Sequence, residues 1–342
     1  MSRERLVAPE EGEGDKQFNW GLRPKTLDEY VGQAETVERL KIAIRATLAR
    51  GETLDHLLLH GPPGLGKTTL AYIIAQELGR EIALTSGPAL ERPGDVMGFL
   101  VNAKQGDIIF IDEIHRLPRI VEEFLYSAME DYIVNFTLDK GMYSKPLPFQ
   151  LQQFTLIGAT TRPAMLTRPL RDRFGIQQHF DFYTEAELIK IVRRSAHILD
   201  TEIDKQGAEE IARRARGTPR VANRLLRRVR DYALVRAGGE ITLEVACAAL
   251  DLLDVDRYGL DEVDQKLMLA ILDKFNGGPV GLGTIAAATD EETDTIEEVY
   301  EPYLIQLGFL ERTPRGRVGT MRAFEYFGLR PRGIGTSQDS LF

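Results

Sequence analysis

The sequence predicts an α/β domain built on a mainly parallel sheet, then an all-helical domain, then a small winged helix. From Leu22 to about Tyr183, short apolar runs alternate with helical patterns, as they do in α/β domains. From Thr184 to about Asp254, the apolar residues recur at helical spacing only. From Leu260 to about Leu329, short helical patterns precede a basic hairpin, an order typical of a winged helix.

The 342 residues are too many for one typical core, so two or three domains are expected. We place a flexible arm at residues 1–18, the α/β domain at 19–183, the helical domain at 184–254, the winged helix at 255–332 and a disordered tail at 333–342. The candidate strands of the sheet are His56–His60, Ile82–Thr85, Asp107–Ile111 and Phe154–Ala159.

Composition narrows the classes of function. The single cysteine, Cys247, excludes an internal disulfide and a cysteine-rich zinc site. Met1–Asp15 lacks the apolar core of a signal peptide and no segment is long enough to span a bilayer, so we expect a cytoplasmic protein with no membrane partner. The net charge of −9 argues against a nucleic-acid partner, but arginines concentrate at 213–230 and from Arg312 onward. Such local basic faces can still bind phosphate.

The most informative motif is a glycine loop. Gly61–Thr68 fits G-x-x-x-x-G-K-[ST], and it lies between a predicted strand and a predicted helix, which is the order that supports the motif. Glycines let backbone N–H groups point at phosphate oxygens, and the helix N-terminus adds positive potential. Lys67 is expected to reach the β- and γ-phosphates of ATP, and the Thr68 hydroxyl to hold Mg²⁺.

A second motif supplies the carboxylates that such a loop needs. The apolar strand from Asp107 ends in Asp112 and Glu113. Asp112 would orient the Mg²⁺ shell, and Glu113 would orient or polarise the attacking water. A strand ending in Asp-Glu is a weak signal alone, but it becomes strong when it follows the glycine loop at this spacing.

Three weaker signals have plain alternatives. Thr161 follows a predicted strand and could touch the γ-phosphate or the water, although strands often end in polar residues. Arg173 lies in the arginine-dense Pro169–Gly175 and could neutralise charge at a neighbour's nucleotide, although Arg171 and Asp172 could simply form a surface pair. Arg220 begins a predicted helix and could reach the phosphates, the alternative being helix capping.

The C-terminal hairpin predicts contact with nucleic acid. Arg312, Arg315 and Arg317 flank its turn and suit phosphate contacts, which carry no sequence information. The alternative is a winged helix that binds protein and has a solvated hairpin.

Together these motifs resemble the AAA+ ATPases, with Walker A, Walker B, sensor 1, arginine finger and sensor 2 in order. The match is closer still to the RuvB family, motors of bacterial Holliday-junction branch migration, and covers about residues 15 to 335. The stretches that carry it are Arg23–Gln33, Gly61–Thr69, Phe110–Leu117, Gly158–Arg162, Pro169–Gly175, Gly217–Asn223, Glu301–Leu310 and Arg312–Arg317. The last two are specific to this family rather than to AAA+ proteins at large.

The resemblance implies roles residue by residue. The catalytic set is Lys67, Asp112, Glu113, Thr161 as sensor 1, Arg173 as the finger and Arg220 as sensor 2. Residues at the ATP would be Leu22, Arg23, Gly64, Gly66, Lys67, Thr68, Thr69, Glu130, Asp131, Tyr132, Arg173, Tyr183 and Arg220, with Thr68 and Asp112 at Mg²⁺. Arg312 and Arg317 match the arginines with which the family contacts DNA.

One segment departs from the family pattern. The hairpin near 138–149, which in the family docks on the junction-binding partner RuvA, lacks the usual Gly-Pro-Ala-Arg-type residues. Its Met142, Tyr143, Leu147 and Phe149 could still form an apolar docking face, so either the partner's surface differs or the hairpin packs differently.

The function that follows is an ATP hydrolase that drives branch migration in recombination and DNA repair. The resemblance implies a ring, expected to be hexameric, on duplex DNA, with RuvA-type and RuvC-type partners. Two alternatives stay open at this point: a replication-initiator-like ATP switch that joins an AAA+ domain to a winged helix, and a clamp-loader-type ATPase.

Overall fold

The structure is a computed structural model that describes residues 20–136 and 147–331. These residues form two compact units, one ending at Glu187 and the other starting at Leu188. Each unit is described by itself. No helix in the described ranges is long and apolar enough to cross a membrane.

The first unit contains a parallel sheet with helices around it. Its strands are β1 (Leu57–His60), β2 (Ile82–Ser86), β3 (Ile108–Asp112), β6 (Thr155–Thr160) and β7 (Ile176–His179), with the hairpin strands β4 (Ile133–Phe136) and β5 (Leu147–Gln150) between β3 and β6. Its helices are α1 (Ala34–Arg50), α2 (Lys67–Leu78), α3 (Pro93–Asn102), α4 (Arg119–Glu130), α5 (Arg168–Asp172) and α6 (Glu185–Ile198), the last of which continues into the second unit.

The sheet topology decides where the functional residues lie. The strand order is β2-β3-β6-β1-β7, and each neighbouring pair is parallel. The carboxyl ends of the strands therefore meet at one edge of the sheet, called here the carboxyl edge, and their starts meet at the amino edge. The three central strands are almost wholly buried, which explains why they read as continuous apolar runs in the sequence.

The second unit begins with a helical lid. After α6, it contains α7 (Lys205–Arg213), α8 (Pro219–Arg236) and α9 (Leu243–Leu252). The predicted apolar face of α6 is buried through Leu188, Ile191, Val192 and Ser195. Asp204 and Thr242 cap α7 and α9 by accepting a backbone N–H, which fixes where these helices start.

A winged helix follows the lid in the same unit. Its elements are α10 (Glu262–Leu269), α11 (Leu282–Thr289), α12 (Thr293–Thr295), α13 (Glu301–Gln306), β8 (Leu310–Thr313), β9 (Gly316–Gly319) and α14 (Met321–Tyr326). Two π-helical turns, Ala270–Lys274 and Ile296–Tyr300, lie directly after α10 and directly before α13. Strands β8 and β9 form the wing, and Val280 pairs with Arg317 beside β9.

A buried pair of Arg216 and Asp264 joins the lid to the winged helix. Arg216 donates to both carboxylate oxygens of Asp264, at 2.6 and 3.1 Å, and its guanidinium lies 4.7 Å from the ring centre of Tyr303. Burial raises the pKa of Asp264 to about 7, although the positive charge of Arg216 opposes that rise. The predicted fold class, an α/β domain with a helical lid and a winged helix, is confirmed.

Candidate nucleotide site and nucleic-acid interface

The glycine loop lies between β1 and α2, at the carboxyl edge of the sheet. Gly61, Gly64 and Gly66 have φ values of 139°, 80° and 97°, a region that residues with a Cβ rarely adopt. A Cβ at Gly66 would lie 2.7 Å from the hydroxyl oxygen of Tyr30, and a Cβ at Gly61 would lie 2.5 Å from the carbonyl oxygen of Phe180. Both backbone conformation and space therefore require glycine here.

Two tyrosines support the glycine loop by hydrogen bonds to its backbone. The hydroxyl groups of Tyr183 and Tyr30 donate to the carbonyl of Leu65 at 3.1 and 3.4 Å, and they lie 3.2 Å from each other. Burial raises the pKa of Tyr30, so its hydroxyl keeps the proton that it donates. Gly32 allows this packing, because a Cβ there would lie 2.4 Å from the Tyr183 ring. Tyr183, predicted at the nucleotide, therefore supports the backbone of the loop.

Lys67 is folded back onto the loop. Its ammonium donates to the carbonyls of Gly61 and Pro62, both at 2.8 Å, and the residue is 7% exposed. Thr68 and Thr69 follow it in the first turn of α2. Burial, helped by the neighbouring His179 and Lys67, lowers the pKa of His60 at the end of β1, which keeps another positive charge away from the loop.

The second and third motifs meet the loop at the same edge. His60 is level with Thr160 across β1 and β6, and Ile111 is level with Gly158 across β3 and β6. Asp112 at the end of β3, Glu113 directly after it and Thr161 directly after β6 therefore lie at the ends of neighbouring strands, as the sequence predicts. An Asp112 oxygen accepts the backbone N–H of Glu113 at 3.0 Å, which fixes the orientation of the Asp112 carboxylate.

Glu113 is oriented by two side chains. It has φ 48° and ψ 46°, so the chain turns sharply at this residue. The Thr161 hydroxyl donates to its Oε2 at 3.4 Å, and His115 Nδ1 lies 3.2 Å from the same oxygen. His115 also lies 2.9 Å from the hydroxyl of Thr160 and is buried. The structure thus places His115, which no motif indicates, against Glu113.

The donor set suits Mg²⁺ with nucleotide. Mg²⁺ sites that use substrate phosphates need only one or two protein oxygens, because water and phosphate supply the others. Thr68, in the first turn of α2, and Asp112, at the end of β3, offer such a pair of oxygens beside the glycine loop. Among the described residues, no cluster of three or more His, Cys, Asp or Glu could hold a metal by itself.

Arg23 lies beside α2, and Leu22, which precedes it, is 2% exposed. The Arg23 guanidinium lies 4.8 Å from the ring centre of Trp20 and 5.9 Å from that of Tyr72 on α2. Stacking on two rings holds this side chain beside the helix that starts at Lys67.

Arg173 lies at the opposite edge of the sheet. It follows α5 and precedes β7, whose first residue, Ile176, bonds to the carbonyl of His56 just before β1. The guanidinium pairs with Glu130, and it donates to the carbonyls of Tyr126 and Pro169 at 3.2 and 2.8 Å. The predicted finger is thus held at the amino edge, away from the chain's own glycine loop.

The segment from Glu130 to Tyr132 lies at the amino edge too. Tyr132 packs its ring edge-on to Phe154, with centres 5.7 Å apart, and it lies 6.2 Å from the His56 ring. Both partners immediately precede strands of the sheet. The expectation that Glu130, Asp131 and Tyr132 border a nucleotide therefore cannot apply to the nucleotide of their own glycine loop, because the length of the sheet lies between them.

Arg220 lies in the first turn of α8 and is half-buried. Its neighbour Thr218 donates its hydroxyl to the carbonyl of Ala215 at 3.3 Å rather than capping the helix. In the arginine-rich stretch around it, Arg214, Arg216 and Arg224 are buried, so these three side chains do not belong to a solvated basic face.

The three arginines of the wing differ in their exposure to solvent. Arg312 and Arg317 are directly opposite across β8 and β9, and Arg315 is exposed in the turn between them. The Arg312 side chain is 48% exposed and that of Arg317 only 14%. Both guanidiniums pair with Glu301, a carboxylate that sequence analysis missed, and Glu301 raises the pKa of Arg312.

Three family models match consecutive parts of the chain. The Holliday junction DNA helicase RuvB P-loop domain matches residues 22–180, the RuvB AAA lid domain 183–256 and the RuvB C-terminal winged helix domain 257–328.

The chain belongs to the RuvB family.

Curated RuvB relatives match over nearly the whole chain. The Holliday junction branch migration complex subunit RuvB of Chloroflexus aggregans (strain MD-66 / DSM 9485) is 57% identical over 329 residues, which is 96% of this chain and 94% of the relative. The subunit RuvB 2 of Synechococcus sp. (strain JA-3-3Ab) is 58% identical over 325 residues, 95% of this chain and 88% of the relative.

Solved RuvB structures share the fold. The Thermotoga maritima RuvB Holliday junction branch migration motor superposes with a TM-score of 0.84 at 49% identity, covering 91% of this chain and 99% of that one. A point mutant of the same protein gives 0.85 at 48% identity, covering 90% and 99%. As a RuvB-family protein, the chain binds and hydrolyses ATP.

The RuvB hairpin before sensor 1 is present as β4 and β5. Met142 and Tyr143, predicted as part of an apolar docking face, lie outside the described residues. Leu147 and Phe149 in β5 are 45% and 38% exposed, so the described base of the hairpin carries apolar surface.

Proposed function

We propose that this chain is the ATP-driven motor of Holliday-junction branch migration, acting on duplex DNA in recombination and repair. The RuvB relatives carry that activity in their names, and they match this chain from end to end of its three domains. The proposal also includes Mg²⁺, a hexameric ring and partners of RuvA and RuvC type.

One observation supports the ring most directly. The glycine loop, Asp112 and Glu113 lie at the carboxyl edge of the sheet, whereas Arg173 lies at the amino edge. Strands of four residues at about 3.3 Å per residue separate these edges by about 13 Å. Arg173 therefore suits the nucleotide of an adjacent subunit, and each complete site needs two subunits.

The chemistry then divides between the two subunits. In one subunit, backbone N–H groups of the loop and Lys67 hold the phosphates, while Thr68 and Asp112 would hold Mg²⁺, which when bound would neutralise charge on the phosphate oxygens. Glu113, oriented by Thr161 and His115, positions the attacking water. The adjacent subunit supplies Arg173, which leaves Glu130 and stabilises the charge that develops on the γ-phosphate.

In this scheme Lys67 exchanges its two carbonyl partners for phosphate oxygens when ATP binds. Its ammonium now donates to two loop carbonyls, and a phosphate oxygen is a stronger acceptor than either because it carries charge. Arg220, as sensor 2, would let the lid respond to the same phosphates.

Contact with DNA belongs to the wing. Arg312 and Arg315 are exposed cations on a narrow hairpin, and phosphate contacts from such a hairpin suit movement along any sequence. Replacement of Arg312 with alanine should weaken duplex binding equally for unrelated sequences and reduce the salt slope by about one. Fluorescence anisotropy at several salt concentrations measures both. A loss confined to one sequence would contradict phosphate contact.

The hairpin of β4 and β5 is our proposed docking surface for the RuvA-type partner. Leu147 and Phe149 supply exposed apolar area at its base. Their joint replacement with serine should abolish stimulation by the partner and leave turnover without the partner intact.

The test of the function is branch migration of a four-way junction with ATP and a RuvA-type partner. We expect continuous turnover and separation of the junction into duplexes, and Glu113→Gln should abolish both. An ATP switch of the replication-initiator type would instead hydrolyse about one ATP per binding event and leave the junction intact.

A further inference from the structure

The wing contains a buried carboxylate that no motif indicates. Glu301 begins α13, and the residue is 0% exposed. Burial of a carboxylate without charged partners is costly, so its partners are decisive. Those partners are the two arginines of the wing. Arg317 donates through Nε to one carboxylate oxygen, and through Nη2 to the other at 3.3 Å, while Arg312 Nη2 donates to that second oxygen as well.

The arginines need this carboxylate. Arg312 and Arg317 are directly opposite in the antiparallel ladder, where like charges repel. Glu301 accepts from both, and Glu297, one helical turn earlier on the same face, adds contacts of 3.3 Å to Arg312 and 3.6 Å to Arg317. Two cations are thus held side by side by two anions, one of them fully buried.

The guanidiniums of Arg312 and Arg317 differ in exposure and in role. The Arg317 side chain is mostly buried. Its backbone N–H donates to the Val280 carbonyl at 2.8 Å and its carbonyl accepts the Val280 N–H at 2.9 Å, so Arg317 is fixed inside the wing and is called here the brace. Arg312 is half exposed. In the described parts of the chain, its ion pairs all run through Nη2, which leaves Nε–H and Nη1–H available to an outside phosphate.

We infer that Glu301 is a positioning residue for DNA binding: it holds the Arg312 guanidinium so that its outer N–H groups meet a DNA phosphate, with Arg317 as the brace. The inference rests on the proposed contact between Arg312 and DNA. Removal of a negative charge from a protein ordinarily strengthens its binding to DNA, but removal of the Glu301 charge should weaken duplex binding.

The test compares Glu301→Gln with Glu311→Gln in the full-length protein. Glu311 is exposed and directly precedes Arg312 on β8. Because successive side chains of a strand lie on opposite faces, the Glu311 side chain lies on the face opposite Arg312. Both variants remove one negative charge. Anisotropy with a fluorescent duplex should show binding about tenfold weaker for Glu301→Gln, the loss of a charge-assisted hydrogen bond, and equal or tighter for Glu311→Gln.

A double-mutant cycle separates positioning from mere structural support. Glu301→Gln should weaken binding about tenfold in the wild-type background but less than about twofold when Arg312 is already alanine. A structural role would add the same loss in both backgrounds. The salt slope should fall by about one for either single variant and no further for the double variant.

Two charge-conserving variants cover the case in which Glu301→Gln does not fold. Glu301→Asp keeps the charge but shortens the reach, and Arg317→Lys keeps the charge but loses the planar fork. Both should weaken duplex binding several-fold while the melting temperature shows a folded protein. Folded Glu301 variants that bind duplex as tightly as Glu311→Gln would overturn the inference.

The Arg312→Ala variant separates this failure from failure of the proposed function. If Arg312→Ala keeps full duplex affinity, the proposed DNA contact itself is wrong. If Arg312→Ala loses affinity and the folded Glu301 variants do not, only the positioning role is wrong.

Discussion

The chain has two regions suited to phosphate, and they are built in opposite ways. The glycine loop offers backbone N–H groups, with Gly61, Gly64 and Gly66 in conformations that other residues rarely adopt. The wing offers side chains, and its arginines are held by Glu301 from a different element. A site built from backbone must carry its glycines at fixed spacing, so it can be read from the sequence. A site built from side chains depends on partners that tertiary structure brings together.

The largest expected effect tests whether the glycine loop is a complete site. Arg173→Ala should lower kcat for ATP by about a thousandfold or more, because an arginine finger stabilises charge only in the transition state. Nucleotide binding, measured by a fluorescent ATP analogue, should remain. Arg171→Ala, which removes a neighbouring arginine, is the control and should keep most turnover. Full activity of Arg173→Ala would remove the finger assignment.

The next effect tests whether backbone conformation is the basis of the loop. Gly66→Ala should weaken nucleotide binding by up to about a hundredfold, because φ 97° and the Tyr30 hydroxyl both oppose a Cβ. Gly79→Ala is the matched control: it also has a positive φ, at 64°, but nothing lies within 4 Å of its added Cβ. Isothermal titration with a nucleotide measures both. Equal affinities for the two variants would contradict the account of the loop.

The smallest expected effect concerns a second buried pair of a carboxyl group and a guanidinium, in the same unit as the wing. Asp264 and Arg216 form a similar buried pair, and burial raises the pKa of Asp264 from 3.8 to about 7. The folded protein then holds a proton that the unfolded chain releases between these values. The stability that this group contributes is therefore present at low pH and is lost as the pH rises through about 7.

The measurement is denaturant unfolding of the wild type and Asp264→Asn across pH 5 to 8. The free energy of unfolding of the wild type relative to the variant should fall with pH, by at most about 1.4 kcal/mol per pH unit for one proton. A difference that does not change with pH, or that rises, would contradict the raised pKa.

The sequence predicted four of the five strands of the parallel sheet and missed the edge strand β7. The strands ending at His60, Asp112 and Thr160 were found within about a residue of their ends, because buried parallel strands read as apolar runs. Strand β7 was missed, since Ile176–His179 is short, polar and half exposed. Its hydrogen bonds come from β1, and no local signal in its own residues indicates them.

The site shows the same division. Lys67, Thr68, Asp112 and Glu113 follow from motifs and strand ends. His115 and Glu301 do not, because each matters only through a contact made by the fold: His115 with Glu113, and Glu301 with the wing. In the sequence, the available signal was a glutamate four residues after Glu297 and shortly before an arginine-rich hairpin. It could not be read without knowing that the hairpin folds back onto α13.

The central claim is that each ATP site is completed by the adjacent subunit. The most direct measurement mixes two inactive proteins, Arg173→Ala and Lys67→Ala, and follows ATP turnover against their ratio. The first keeps an intact glycine loop and the second an intact finger, so mixed rings contain some complete sites. We predict that turnover returns and is largest near equal amounts. Mixtures that form rings and stay inactive at every ratio would contradict a site shared between subunits.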